Sequence, residues 1–76
     1  METAMTDPEP IPVILNGKDR LVPAGITVRG LLEALELNPA LVVVERNREI
    51  LDRDRYSAVG VEAGDVFELV HFVGGG

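Results

Sequence analysis

The sequence predicts an α+β domain in which one helix lies across one face of a mixed sheet of about four to five strands. Three observations carry this expectation. A single segment, residues 27–35, has helical periodicity. Several short runs of β-branched and aliphatic residues are separated by turn signals at 16–17, 47–48 and 64–65. The last run, 66–73, is apolar on nearly every residue, as befits a strand in the middle of a sheet.

Each element follows from its residues. Residues 1–10 are acidic and carry Pro8 and Pro10, which predicts a disordered N-terminal extension. Val13, Ile14 and Leu15 read as a short strand, and Asn16-Gly17 is the strongest short hairpin signal, so 19–22 should be the returning strand. Thr27 is an N-cap candidate, with Ile26 and Leu31 placed to form a hydrophobic staple. Val28, Leu31, Leu32 and Leu35 fill the i, i+3, i+4, i+7 stripe, while Arg29, Glu33 and Glu36 face outward. Gly30 inside this helix costs about 1 kcal/mol against Ala, which predicts close packing against the sheet. Asn38-Pro39 is expected to end the helix. Residues 41–45 form a continuous apolar run of strand length, Asn47-Arg48 turns the chain, and Ile50-Leu51 make a short further strand. Residues 52–60 are charged and irregular, with Tyr56 and Val59 expected to plug the lower edge of the sheet. With the last strand central and parallel to the first, this order gives the β-grasp, or ubiquitin-like, layout. The domain should then span 11–73, with 74–76 as a flexible glycine tail.

Bulk properties narrow the function. A body of about 60 residues buries only about 60% of its unfolded surface, so no enclosed substrate pocket is expected and the chain should not itself be an enzyme. Thirteen acids against seven bases, a net charge of −6, argue against nucleic acid, whose affinity rests on phosphate neutralisation. The same balance suits a partner with a basic docking face. No cysteine is present, so the chain has no disulfide, no thiolate metal site and no persulfide of its own. No signal peptide or membrane span is evident, which predicts a cytoplasmic protein, monomeric when free and without membrane contact.

The ending Val73-Gly74-Gly75-Gly76 is the most specific feature. Glycines bury no side chain and lose the most backbone entropy on ordering, so they add nothing to a fold. They do provide a thin peptide that threads a channel where any β-carbon would clash. Rooted on a central strand, this tail predicts an acyl carrier whose reactive group is the Gly76 carboxylate, with Gly74 and Gly75 threading a partner's active site. Alternation along 66–73 places Phe67, Leu69 and His71 on the helix side and Glu68, Val70 and Phe72 outward. Val70 and Phe72 beside Val42 or Val44 of the neighbouring strand are the candidate partner-docking patch. His71, the single histidine, has no companion for base or metal work. Glu33 with Glu36, and Glu49, Asp52 and Asp54, read as solvated charge, so no metal site is expected.

Val44-Glu45-Arg46-Asn47 with Glu49-Ile50, then Gly64-Asp65 and the run from Val70 to Gly76, resemble the ThiS-like sulfur carriers of thiamine biosynthesis. The likeness covers about residues 12–76; Arg48 stands where many relatives have Gly, and the acidic extension before Pro10 is atypical. The resemblance implies that an E1-like adenylyltransferase activates the Gly76 carboxylate with Mg-ATP. A cysteine desulfurase or other persulfide donor then supplies sulfur, and thiazole synthase takes it from the resulting thiocarboxylate. Neither Mg-ATP nor the sulfur donor would be bound by the chain itself. The terminal Gly-Gly alone is shared with the molybdopterin-synthase small subunit and tRNA-thiolation carriers, which remain alternatives, as does a β-grasp interaction module whose tail is inert.

Overall fold

The computed structural model describes residues 8–72. It contains β1 (Ile11–Leu15), β2 (Lys18–Val22), α1 (Val28–Ala34), a 3₁₀ turn (Pro39–Leu41), β3 (Val42–Arg46), β4 (Glu49–Leu51), a second 3₁₀ turn (Arg53–Arg55) and β5 (Val66–His71). The strands form one five-stranded sheet in the order β2-β1-β5-β3-β4. The last strand in sequence is therefore central, parallel to β1 and antiparallel to β3. This is the β-grasp arrangement that the order of elements predicts.

Both hairpins are set by left-handed backbone at their tips. Asn16 and Gly17 have φ of 50° and 81°, and Asn47 and Arg48 have φ of 52° and 73°. Positive φ at both central positions is the primed turn whose twist matches the flanking strands. Asn and Gly adopt it readily, whereas Arg48 does so against a steric cost of about 1–2 kcal/mol. Part of that cost would return as unfolded-state entropy in a glycine variant. Arg48→Gly is therefore expected to stabilise the protein by about 0.5–1 kcal/mol. A thermal midpoint equal to or below that of the parent chain would show that Arg48 is not strained.

α1 starts as the sequence implies: the Thr27 hydroxyl accepts a hydrogen bond from the Gly30 N–H at 3.0 Å. Two further N-terminal donors are satisfied by the 52–60 segment, Val28 N–H to Val59 C=O and Arg29 N–H to Tyr56 C=O, each at 2.9 Å. Two expectations for the helix are corrected. Gly30 is not pressed on the sheet; a β-carbon there would sit 2.9 Å from Ile26 Cγ1, so the residue that crowds it comes from the preceding turn. The helix also ends before Asn38. Glu36 takes φ of 62°, and Glu36 N–H to Glu33 C=O and Leu37 N–H to Leu32 C=O, both 2.9 Å, close a Schellman motif. Asn38 instead caps the 3₁₀ turn, its Oδ1 accepting from Ala40 N–H at 2.9 Å.

The core lies between α1 and one face of the sheet. Val28, Leu31 and Leu32 pack with Val13, Val22, Val42, Val44, Val61 and Phe67. Tyr56 closes one side of this core, buried to its hydroxyl, which donates to Val42 C=O at 2.8 Å. Burying a phenol is tolerable because that bond satisfies its polar end.

Candidate functional site

The strand that leads to the glycines is held on both flanks. Toward β1, Ile14 N–H and Asn16 N–H donate to Asp65 C=O and Phe67 C=O, each at 2.9 Å. Where β1 turns away, the Asn16 side chain continues the ladder: its Oδ1 accepts from Leu69 N–H at 2.7 Å and its Nδ2 donates to Leu69 C=O at 3.4 Å. Toward β3, pairing runs from Asn47 N–H donating to Val66 C=O at 2.8 Å up to Phe72 N–H donating to Leu41 C=O at 2.7 Å. The root of the C-terminal segment is thus fixed in the middle of the sheet through Phe72. Gly74, Gly75 and Gly76, the residues on which the carrier reading rests, lie outside the described residues, as does Val73.

A polar lock fastens the other end of β5. Asp65 is buried, and its carboxylate accepts from Arg46 Nε at 3.0 Å, Asn47 Nδ2 at 3.1 Å and Glu62 N–H at 2.8 Å. Asn47 Oδ1 in turn accepts from Val66 N–H at 2.9 Å. Sequence reading treats Asp65 and Asn47 only as turn residues. Each is in fact a side chain that satisfies the backbone where two turns meet. Burial pushes the Asp65 carboxyl up, but the bonds from Glu62, Asn47 and Arg46, with the attraction of the Arg46 charge, outweigh it and hold the group below its ordinary value. A depressed folded-state value gives stability that is present above the unfolded carboxylate range, near pH 4, and lost as pH falls through the folded value. Asp65→Asn should therefore lower stability at neutral pH and flatten its decline below about pH 4. An acid limb as steep as that of the parent chain would place the titration elsewhere.

The phase of β5 agrees with alternation. Phe67 is fully buried and Leu69 packs against the core, while Val70 and Phe72 are 53% and 51% exposed. The docking patch assembled from the sequence is half wrong. Val42 and Val44 are fully buried. They lie in register with His71 and Leu69, so they share the helix face. The residue beside Val70 is Val43, their intervening neighbour. A face made from Val70 and Phe72 is extended instead by Ile14, Leu21, Ile50 and Val66, each at least partly open to solvent. Leu21 pairs with Pro12, Ile14 with Val66, and Ile50 with Glu45, which puts all of them on the sheet face opposite α1. This patch needed the pairing register, which no single strand's pattern supplies.

An open groove of about 640 Å³ is lined by Pro8, Pro10, Leu21, Val22, Pro23 and Ala24, none of them titratable. No cluster of three or more His, Asp or Glu side chains suited to a metal occurs among the described residues. No described helix is long and apolar enough to cross a membrane.

Comparison with known proteins bears on the same elements. The ThiS family model matches residues 13–76. A sulfur carrier protein ThiS of Bacillus subtilis is 46% identical over 63 residues, covering 82% of this chain and 96% of that protein. A thiazole synthase of Magnetococcus marinus is 45% identical over 62 residues, which is 82% of this chain but 19% of the synthase. The chain thus spans about a fifth of the length of that relative. The crystal structure of a thiamine biosynthesis protein, ThiS, from Geobacter metallireducens superposes with a TM-score of 0.74 at 36% identity, covering 87% of this chain and all of the other. The match runs through both turns, the Asp65 lock and β5, the parts that build the tail's root, and the chain belongs to the ThiS family.

Proposed function

We propose that the chain is a sulfur carrier for thiamine biosynthesis, and that the Gly76 carboxylate is the atom group that carries the sulfur. The observation that supports this best is the family match through residue 76, joined to a central strand whose last described residue, Phe72, is bonded into the sheet. A carboxylate is a poor electrophile, and the chain has neither a cysteine nor a phosphate-binding loop. Both activation and sulfur must come from outside. In this reading an E1-like enzyme binds Mg-ATP, and the Gly76 carboxylate attacks the α-phosphate and expels pyrophosphate. A persulfide sulfur from a donor protein attacks the acyl carbon, AMP leaves, and a thiol then cleaves the sulfur–sulfur bond to leave a thiocarboxylate. Thiazole synthase is the acceptor; its name on a relative whose sequence contains a region 45% identical to this chain supports that pairing.

The folded body contributes docking. Each glycine fixed in a channel costs about 1–2 kcal/mol of backbone entropy, with no side-chain burial in return. The open sheet face around Val70 and Phe72 supplies the apolar area that offsets this cost. A strain lacking its own thiamine sulfur carrier tests the assignment. Expression of this chain with its cognate enzymes should restore growth without added thiazole. Rescue of a molybdopterin-deficient strain in place of the thiazole auxotroph would reassign the pathway.

A further inference from the structure

The open face of the sheet combines two properties that the carrier's chemistry does not require. Every large hydrophobic side chain that is exposed among the described residues lies on it: Ile14, Leu21, Ile50, Val66, Val70 and Phe72. Exposed apolar residues gathered on one face in this way mark an interaction surface. Its charges are also of one sign. Asp19, Glu45 and Glu68 occupy the outward register positions, whereas the strand cations Lys18, Arg20 and Arg46 pair with Leu15, Val13 and Phe67 and so fall in the opposite phase.

Within that face, Glu45 and Glu68 stand directly opposite each other on β3 and β5. Like charges so placed destabilise a sheet. The ion pairs formed among the described residues are Arg29 with Glu33 and Arg46 with Asp65, and neither reaches this pair. Val43 and Val70 lie next to the pair toward the end of β5, Val66 lies two residues before Glu68 on β5, and Ile50 stands opposite Glu45 on β4. A second copy of the chain is a poor occupant, since face-to-face packing would set acids against acids. Resting on the reading of this chain as a carrier, we propose that the open face docks a protein surface that is apolar apart from an arginine or lysine head, and that this cation seats between Glu45 and Glu68. The apolar surround excludes water from the contact and strengthens it. The carboxylate pair thus selects a cationic partner at some cost to the free carrier.

Titration calorimetry of the full chain with thiazole synthase from the same organism, at low and high salt, tests this with Glu45→Gln, Glu68→Gln and the double variant. Each single variant should weaken binding roughly tenfold at low salt, and the double variant should flatten its salt dependence. The thermal midpoint of the free carrier should stay the same or rise, because a repulsion has been removed. Unchanged affinity at both salts, a midpoint that falls along with affinity, or dimerisation of the wild-type chain through this face would overturn the proposal. Binding of the wild type with no effect of the variants removes this inference alone. A wild-type chain that does not bind the synthase removes the carrier reading, and this inference with it.

Discussion

Removal of Gly76 is expected to abolish ATP-dependent activation of the chain and leave its unfolding transition where it was. The two halves of this result have separate causes. The described core is closed by residues from Val13 to Phe67, and the last described backbone bond that anchors β5 is the one from Phe72 to Leu41. A glycine has no side chain to give to a core, so its loss should leave that core complete. Activation, in contrast, requires a carboxylate oxygen to meet the α-phosphorus within about 3–3.5 Å, and misplacement by about 1 Å already costs on the order of a hundredfold. A chain one residue shorter displaces its carboxylate by about 3.3–3.6 Å if the tail is extended. Pyrophosphate exchange measured beside thermal unfolding checks both halves. Full exchange by the shortened chain would move the reacting carboxylate away from Gly76.

Two aromatic residues of the C-terminal segment should give opposite outcomes. Phe67 is fully buried at the centre of the core, and Phe72 is half exposed on the open face. Phe67→Ala removes a ring from a packed interior, which costs about 3–5 kcal/mol. A domain of this size is stable by roughly 3–10 kcal/mol, so this variant should be largely unfolded or nearly so at physiological temperature. Phe72→Ala should change stability by less than about 1 kcal/mol and still weaken binding to the activating enzyme or thiazole synthase. Chemical denaturation and calorimetry separate the two. Equal destabilisation by both substitutions would mean that Phe72 is part of the core and that the docking face is misplaced.

How far the sequence reveals this molecule depends on which constraint acts at each residue. Residues 66–73 show their phase because Glu68 interrupts an apolar run, and the exposures of Phe67, Val70 and Phe72 follow it. Residues 41–44 are uniformly apolar, so nothing in them tells Val42 and Val44 from Val43; their faces are set by register against His71, Leu69 and Val70. Asn16-Gly17 declares its turn because both residues tolerate left-handed backbone. Arg48 and Glu36 hide theirs, since the backbone is forced there by the strands and by the Schellman bonds rather than by residue preference. The lock around Asp65 joins residues 18 and 19 positions apart, a distance that no local pattern spans. Of the candidate site, the glycines and the outward phase of Val70 and Phe72 are legible from sequence alone, and the rest of the exposed face is legible only from the sheet.

The most direct test of sulfur carriage is to incubate the chain with its activating enzyme, Mg-ATP and sulfur donor, treat it with iodoacetamide, and determine its intact mass and the site of alkylation. The chain contains no cysteine, so a thiocarboxylate is the one fast-reacting sulfur nucleophile it can acquire. The alkylation also distinguishes it from oxidation of a methionine, which adds nearly the same mass as exchange of oxygen for sulfur. The account predicts one alkylated species, modified at Gly76, formed only when ATP and the sulfur donor are both present. An unmodified chain under conditions in which the enzyme consumes ATP, or alkylation that maps to any residue other than Gly76, would contradict it.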